Sequence, residues 1–108
     1  MRGEIELTSL ERAVESVLKE LVADYEPQYS TRTGFVVDFA VPSKKIAIEV
    51  DGEKWHSSPE ARKRDAFKDS QLRREGWKLL RIKEGTPQEV WVSRLKKLLG
   101  ESVGDAEH

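Results

Sequence analysis

Hydrophobic and polar residues alternate in two consecutive stretches near the middle of the chain, residues 35–41 and 46–51. A repeat of two residues is typical of a β-strand that is buried on one face. Pro42 and Ser43 separate the two stretches, and such a short connection predicts an antiparallel hairpin. We therefore expect two neighbouring strands of one sheet.

The same alternation assigns the side chains of this hairpin to two faces. One face would contain the large apolar residues Phe35, Val37, Phe39, Val41, Ile46, Ile48 and Val50. The opposite face would contain three carboxylates, Asp38, Glu49 and Asp51, beside Val36, Ala40 and Ala47. Carboxylates that share a face raise one another's pKa unless a cation lies among them. The hairpin thus predicts a carboxylate cluster that needs a cationic partner.

Helical spacing, caps and turn residues predict the other elements. Thr8 and Glu11 form a capping-box pattern before a helix over about residues 9–23. Further along we expect an edge strand at 25–30, a polar helix at 59–75 ending before Gly76, a strand at 77–82, and a helix from a second capping box at 86–89 to Gly100. The connection through the polar helix is long enough to make its flanking strands parallel. The predicted fold class is α/β, in the order αβββαβα, with a four-stranded mixed sheet flanked by helices.

Length and composition indicate a single domain without disulfides or a membrane span. A chain of 108 residues suits a single domain, which we expect over residues 1–100, with a disordered tail at 101–108. The sequence contains no cysteine, which excludes disulfides and thiolate zinc sites. No apolar run approaches the roughly 20 residues of a membrane span. We expect a cytoplasmic protein with no membrane partner.

Charge is distributed unevenly along the chain. The first 26 residues hold three basic and seven acidic side chains, whereas residues 53–84 hold ten basic and six acidic ones. A basic second half next to a carboxylate cluster suits a phosphodiester substrate, but the charge taken alone favours a solvated helix face. The candidate nucleic-acid-binding residues are Lys54, Arg62, Lys63, Arg64, Arg73 and Arg74.

The carboxylate cluster is also a candidate metal site. Mg²⁺ and Mn²⁺ prefer hard oxygen ligands, so Asp38, Glu49 and Asp51 are candidate ligands of either ion. His56, in the following loop, could transfer protons, and Asp65 and Lys68 lie one turn apart on the next helix. In a protein without catalysis the same side chains would be solvent-facing carboxylates and helix-surface ion pairs.

Taken in order along the chain, the motifs resemble those of a known family, the Vsr-like branch of the PD-(D/E)XK nuclease superfamily. Its members include DUF559-type domains and EDxHD homing endonucleases. The resemblance covers residues 8–82. It rests on Glu11, Gln28, VDFAVP with Asp38, IAIEVDGEKWH with Glu49, Asp51 and His56, RDAFKDSQL with Asp65, and GWKLLRI. The nine-residue step from His56 to Asp65 suits the last two letters of EDxHD.

The resemblance implies a restriction-endonuclease-like core and a role for each motif residue. Asp38 would be the central metal ligand, His56 would activate water or protonate the leaving group, Asp65 would orient His56, and Glu11 would complete the site. The family's E-x-K lysine is absent, because Asp51 occupies its position, so Lys68 or His56 would take over its role. Without cysteines, the zinc site of the mismatch repair enzyme is absent as well.

Two functions from different classes follow. One is a metal-dependent DNA endonuclease or nickase whose specificity comes from DNA structure, a fused or separate partner, or homodimerisation. The other is a non-catalytic module that binds RNA, because the RAP domain also resembles this pattern through IAIEVDG and GWKLLRI. The joint presence of Asp38, His56 and Asp65 favours the enzyme. The acidic first helix alone favours a third class, a small protein-interaction domain.

Overall fold

The structure, a computed structural model, describes residues 7–52 and 58–101. Its elements are α1 (Ser9–Leu21), β1 (Glu26–Ser30), β2 (Val36–Val41), a 3-10 turn (Pro42–Lys44), β3 (Ile46–Asp51), α2 (Pro59–Arg74), β4 (Lys78–Lys83) and α3 (Gln88–Glu101). This order confirms the predicted α/β class. Residues 102–108 of the predicted tail lie outside the described residues, and Glu101 still belongs to α3.

The four strands form one mixed sheet in the order β1-β2-β3-β4. The first three strands pair antiparallel, and β4 pairs parallel to β3 because α2 carries the chain back across the sheet. Ile48 lies opposite Phe39 on one side and Leu80 on the other. The hairpin turn is slightly longer than Pro42 and Ser43, since Lys45 closes it in the left-handed conformation at φ 56°.

Helices cover the two faces of the sheet unequally. Both α1 and α3 pack on one face, where the buried residues are Val14, Leu18, Phe39, Val41, Ile46, Ile48, Leu80, Ile82, Trp91 and Leu95. Only α2 covers the other face, where the buried residues are Val37, Ala40, Ala47, Leu72 and Trp77. Among the helices of the described residues, none is both long and apolar enough to cross a membrane.

The ends of α1 and α2 follow from their sequences. At α1, Thr8 N donates to Glu11 Oε1 at 2.9 Å and Glu11 N donates to Thr8 Oγ1 at 3.1 Å, so the predicted capping box forms. At α2, Gly76 adopts φ 91° and Trp77 N donates to Leu72 O at 3.0 Å, which is the Schellman arrangement. Because Trp77 and Leu72 also pack together, this cap fixes the start of β4.

One sequence-based expectation about the faces is wrong. Strict alternation placed Phe35 and Val37 with Phe39, but the Phe35 ring contacts Phe67 of α2 and Val37 packs in the cluster of Ala40 on the α2 side. The reason is a break at Asp38 in the pairing of β2 with β3. Beyond Phe39 the pairing of β2 with β3 ends, and the Asp38 side chain accepts the Val50 N–H at 2.7 Å instead. Opposite this break in β1, Gln28 has φ 49°, an uncommon value for a residue other than glycine.

Candidate active site

A groove lies between the end of β3 and the first turns of α2. Its walls come from α1, β2, β3, α2 and β4, and its lining residues are Glu11, Asp38, Glu49, Val50, Asp51, Asp65, Lys68 and Arg81. All five elements therefore meet at one place, and five of the eight lining side chains are carboxylates. Five carboxylates in one groove repel one another, so the groove needs positive charge beside them, from its two basic residues or from a bound cation.

Asp38 and Glu49 are the coupled pair at the centre of the groove. Glu49 is only 8% exposed because β3 is an inner strand covered by α2. Burial raises the pKa of Glu49 to about 7; Lys68 opposes this increase and Asp38 adds to it. Burial also raises the pKa of Asp38, partly offset by the hydrogen bond from Val50 N, and Glu11 raises it further. Burial thus shifts the protonation equilibrium of both acids towards the neutral form, and additional positive charge would oppose that shift.

Lys68 supplies the cation closest to this pair. Its ammonium forms an ion pair with Glu49 Oε2 and donates to Val36 O at 2.7 Å. The side chain comes from α2, whereas the E-x-K pattern would place a lysine on β3 itself. The ammonium therefore reaches Glu49 from the helix side of the groove. Asp65 lies one turn earlier on α2 and also lines the groove.

Asp51 does not join Asp38 and Glu49. Both of its oxygens accept from Arg81 Nη1 at 3.2 Å, and Arg81 Nη2 donates to Asp69 Oδ1 at 2.6 Å. Burial alone would lower the pKa of Arg81, but Asp51 and Asp69 raise it, so the guanidinium stays charged. Across residues 7–52 and 58–101, no three Asp, Glu or His side chains are arranged to hold a metal ion together. The structure therefore brings two of the three predicted carboxylates together and turns the third towards Arg81.

Arg81 was not among the predicted site residues. It lies in β4 between Leu80 and Ile82, directly opposite Glu49 in the parallel register. The signal was present in GWKLLRI, because a charged residue flanked by apolar ones in an expected strand needs an acidic partner when a helix covers it. The prediction used that motif as a strand and as part of the family resemblances, and gave Arg81 no role in the site.

The remaining predicted residues lie in different places. Glu11 lines the groove while its carboxylate also caps α1. His56 and Lys54 fall outside the described residues. The other five basic residues are exposed on α2 and do not line the groove: Arg62, Lys63, Arg64, Arg73 and Arg74.

The buried pair fits a divalent cation. Mg²⁺ and Mn²⁺ are hard cations that suit carboxylate oxygens, and Mg²⁺ binds commonly through one or two carboxylates, keeping waters and substrate phosphate oxygens as its other ligands. Asp38 and Glu49 offer that number of carboxylates, and a bound divalent cation would offset the cost of burying their charges, which is the main cause of their raised pKa values. A set of three protein carboxylates is not required for such a site.

The fold and this groove define a nuclease-like α/β protein. The profile of the restriction endonuclease-like family REase_MTES_1575 matches residues 10–98, and the chain belongs to this family. The matched range contains every residue that lines the groove.

A solved structure agrees with this assignment. The catalytic domain of the homing endonuclease I-Bth0305I is similar to the chain, with 26% sequence identity and a TM-score of 0.73, over 91% of this chain and 100% of that domain. No curated protein sequence matches the chain. Family and structural neighbour together support a nuclease function.

Proposed function

We propose that the chain is a metal-dependent endonuclease or nickase that hydrolyses DNA phosphodiester bonds in the groove. The observation that carries this proposal is the pair of half-buried Asp38 and buried Glu49, both with raised pKa values, beside the ammonium of Lys68. Perturbed acids that converge in a cleft are typical of catalytic sites. The nuclease family and the homing endonuclease domain support the same reaction class.

In this proposal Asp38 and Glu49 hold Mg²⁺ or Mn²⁺. When bound, such an ion polarises the phosphoryl group and lowers the pKa of a coordinated water. The sequence left open whether Glu49 or Asp51 binds the metal directly beside Asp38, and Arg81 binds both oxygens of Asp51. We therefore assign Asp51 to holding Arg81 in the groove wall and not to the metal.

The other groove residues handle charge and protons. Lys68 takes over the role of the missing E-x-K lysine, because its ammonium lies where negative charge on the phosphate would develop beside Glu49. His56 moves protons, Asp65 orients it, and Glu11 closes the groove from α1. This assignment follows the EDxHD spacing, which supports the proposal that the chain belongs to the Vsr-like branch.

The exposed basic residues of α2 would bind the DNA backbone. Arg62 and Arg73 are eleven residues apart, as are Lys63 and Arg74, so each pair returns to the same side of the helix after three turns. Phosphate contacts of this kind do not depend on base sequence and weaken with salt. They leave the choice of cleavage position to other residues or to a partner.

A plasmid assay tests the reaction. Supercoiled DNA incubated with the protein and Mg²⁺ or Mn²⁺ should be relaxed or linearised, and EDTA or Asp38→Asn should abolish this activity. Asp24→Asn is the matched control, because Asp24 is an exposed carboxylate that does not line the groove. Cleavage that survives Asp38→Asn would contradict the proposed site.

The binding-only alternative has its own outcome in this assay. A protein that never cleaves DNA, but binds RNA with an affinity that falls with salt and is unchanged by Asp38→Asn, would be a RAP-type module. The exposed basic face of α2 permits this result, since its residues lie outside the groove.

A further inference from the structure

An exposed aromatic patch lies at the edge of the proposed active site. Phe67 on α2 is 59% exposed and Val36 at the start of β2 is 48% exposed. The rings of Phe67 and Phe35 meet edge to face, with their centroids 6.1 Å apart. We call Phe35 and Phe67 the aromatic patch.

The patch contributes little to the folded core. The residue of α2 that is fully buried is Leu72, and the buried residues under α2 do not include any member of the patch. Phe67 therefore presents a large apolar ring face to water. An exposed apolar cluster on a small protein commonly marks an interaction site.

The surroundings of the patch indicate what it contacts. Lys63 and Arg64 lie one turn before Phe67 on α2, and Arg74 lies two turns after it. All three are exposed, so the ring lies in a positively charged surface. Aromatic side chains among basic ones are the usual arrangement for binding unstacked nucleobases, because the ring stacks on the base while the cations bind the phosphates.

The patch is also connected directly to the groove. Lys68 follows Phe67 in sequence, and its ammonium donates to the carbonyl of Val36 while pairing with Glu49. One lysine thus links the backbone directly after Phe35 to a proposed metal ligand. A base held on the patch would belong to a nucleotide close to the phosphate in the groove.

We propose that the aromatic patch stacks an unpaired nucleobase, so that the preferred substrate is DNA with a single-stranded segment next to a duplex. Bases inside a continuous duplex are stacked on both faces and have no free face on which Phe67 could stack. This inference rests on the proposed nuclease function and deepens it by naming the class of substrate. In this proposal Phe67 selects DNA by its structure, which the contacts between α2 and the DNA backbone cannot do.

Binding measurements in EDTA test the patch without relying on cleavage. Fluorescence anisotropy would compare continuous duplex DNA with the same duplex carrying a short single-stranded gap, and 2-aminopurine in the gap would report stacking by its quenching. We expect wild type to prefer gapped DNA and to quench the probe. Phe67→Ala should weaken the affinity for gapped DNA by roughly 5- to 150-fold, because stacking of a base on an aromatic ring contributes about 1–3 kcal/mol. The affinity for continuous duplex DNA should stay unchanged.

Three further variants separate stacking from other effects. Phe67→Tyr should restore gapped binding, whereas Phe67→Leu, which is apolar but not aromatic, should not. Val90→Ala is the matched control, since Val90 is 36% exposed and lies on α3, on the opposite side of the sheet. It should behave as wild type on both DNAs.

Several results would overturn the proposal. These are equal binding of both DNAs by wild type, an equal loss on both in Phe67→Ala, or full rescue by Phe67→Leu. A dimer in sedimentation experiments that Phe67→Ala converts to monomer would also overturn it, because the patch would then bind a second copy of the chain. A failure of the nuclease function appears separately, as absent plasmid cleavage with the gapped preference intact.

Discussion

The two faces of the sheet are built for different purposes. The face under α1 and α3 is closed by large apolar side chains such as Phe39 and Trp91. The face under α2 has a smaller apolar contact, in which two of the five buried residues are alanines. Since apolar burial scales with the area removed from water, the first face contributes most of the stability.

Polar contacts complete the packing of α2. Lys68 joins it to Glu49 and to the Val36 carbonyl, and Arg81 joins it to the sheet through Asp69. These side chains also line or border the groove. Substitutions on this face should therefore change activity more than stability, whereas those on the first face should change stability.

The largest effect is expected from Trp91→Ala on the first face. Trp91 is 1% exposed, and removing a buried aromatic costs about 3–5 kcal/mol of the free energy of unfolding. Urea unfolding followed by circular dichroism measures this loss, and the neighbouring Val90→Ala should stay within about 0.5 kcal/mol of wild type. A loss below about 1 kcal/mol for Trp91→Ala would show that the first face is not the main core.

The next effect is a dependence of stability on pH that arises on the second face. The folded-state pKa of Glu49 is about 7 against 4.5 for the unfolded chain, so the native state holds more protons between these values. The stability from this group is fully present below pH 4.5 and is lost as pH rises through about 7. The change should amount to about 2–3 kcal/mol, and Asp38, whose pKa is also raised, adds to it.

Chemical unfolding in EDTA between pH 4.5 and 8 measures this dependence. Glu49→Gln should flatten the curve and be more stable than wild type at pH 8, because glutamine carries no charge at either pH. Mg²⁺ should stabilise wild type at pH 8 more than at pH 5.5, since the ion competes with protons for the carboxylates. An unchanged slope in Glu49→Gln would place the titrating group elsewhere.

A smaller effect is expected from Arg81→Met. The variant leaves Asp51 and Asp69 without their shared cation, and for such half-buried pairs we expect a decrease of about 1–2 kcal/mol in the free energy of unfolding. Because α2 is then held less firmly against the sheet, kcat for DNA cleavage should fall more than KM changes. In a double-mutant cycle Asp69→Asn should be coupled to Arg81→Met. Purely additive effects would argue against the ion pair by which Arg81 holds α2 to the sheet.

The smallest effect on stability is expected from the double variant Lys63→Gln/Arg74→Gln. Both side chains are exposed, so unfolding should change by no more than about 0.5 kcal/mol. Binding to continuous duplex DNA should still weaken, and the slope of log K against log salt should become less negative by about 0.9 for each phosphate that the protein no longer neutralises. The matching change in Lys19→Gln, an exposed basic residue on α1, should leave that slope as it is.

Much of the fold follows from patterns within a few residues. Alternation in residues 46–51 correctly places Ile46 and Ile48 in the main core and Glu49 on the other face. The capping box at Thr8 and the glycine after α2 set helix ends close to those predicted. The end of α1 at Leu21 is two residues earlier than the apolar pattern suggested, a usual uncertainty of helix termini.

The misplaced residues depend on contacts between distant parts of the chain. Alternation failed at Val37 because Asp38 uses its side chain to bind the backbone of Val50, twelve positions away. Asp51 was expected beside Asp38, but Arg81, thirty positions further along, binds it instead. Neither contact has a periodic signature in the sequence.

By itself, the sequence determined the order of helices and strands, the apolar faces and the residue types that could carry phosphodiester chemistry. Those features depend on backbone periodicity and caps, which act over two to four residues. The tertiary structure decided which charges meet: Glu49 with Lys68, Asp51 with Arg81, and Asp38 with the backbone of β3. Strand register and the packing of α2 set these pairs, because only they bring residues far apart in the chain within hydrogen-bonding distance.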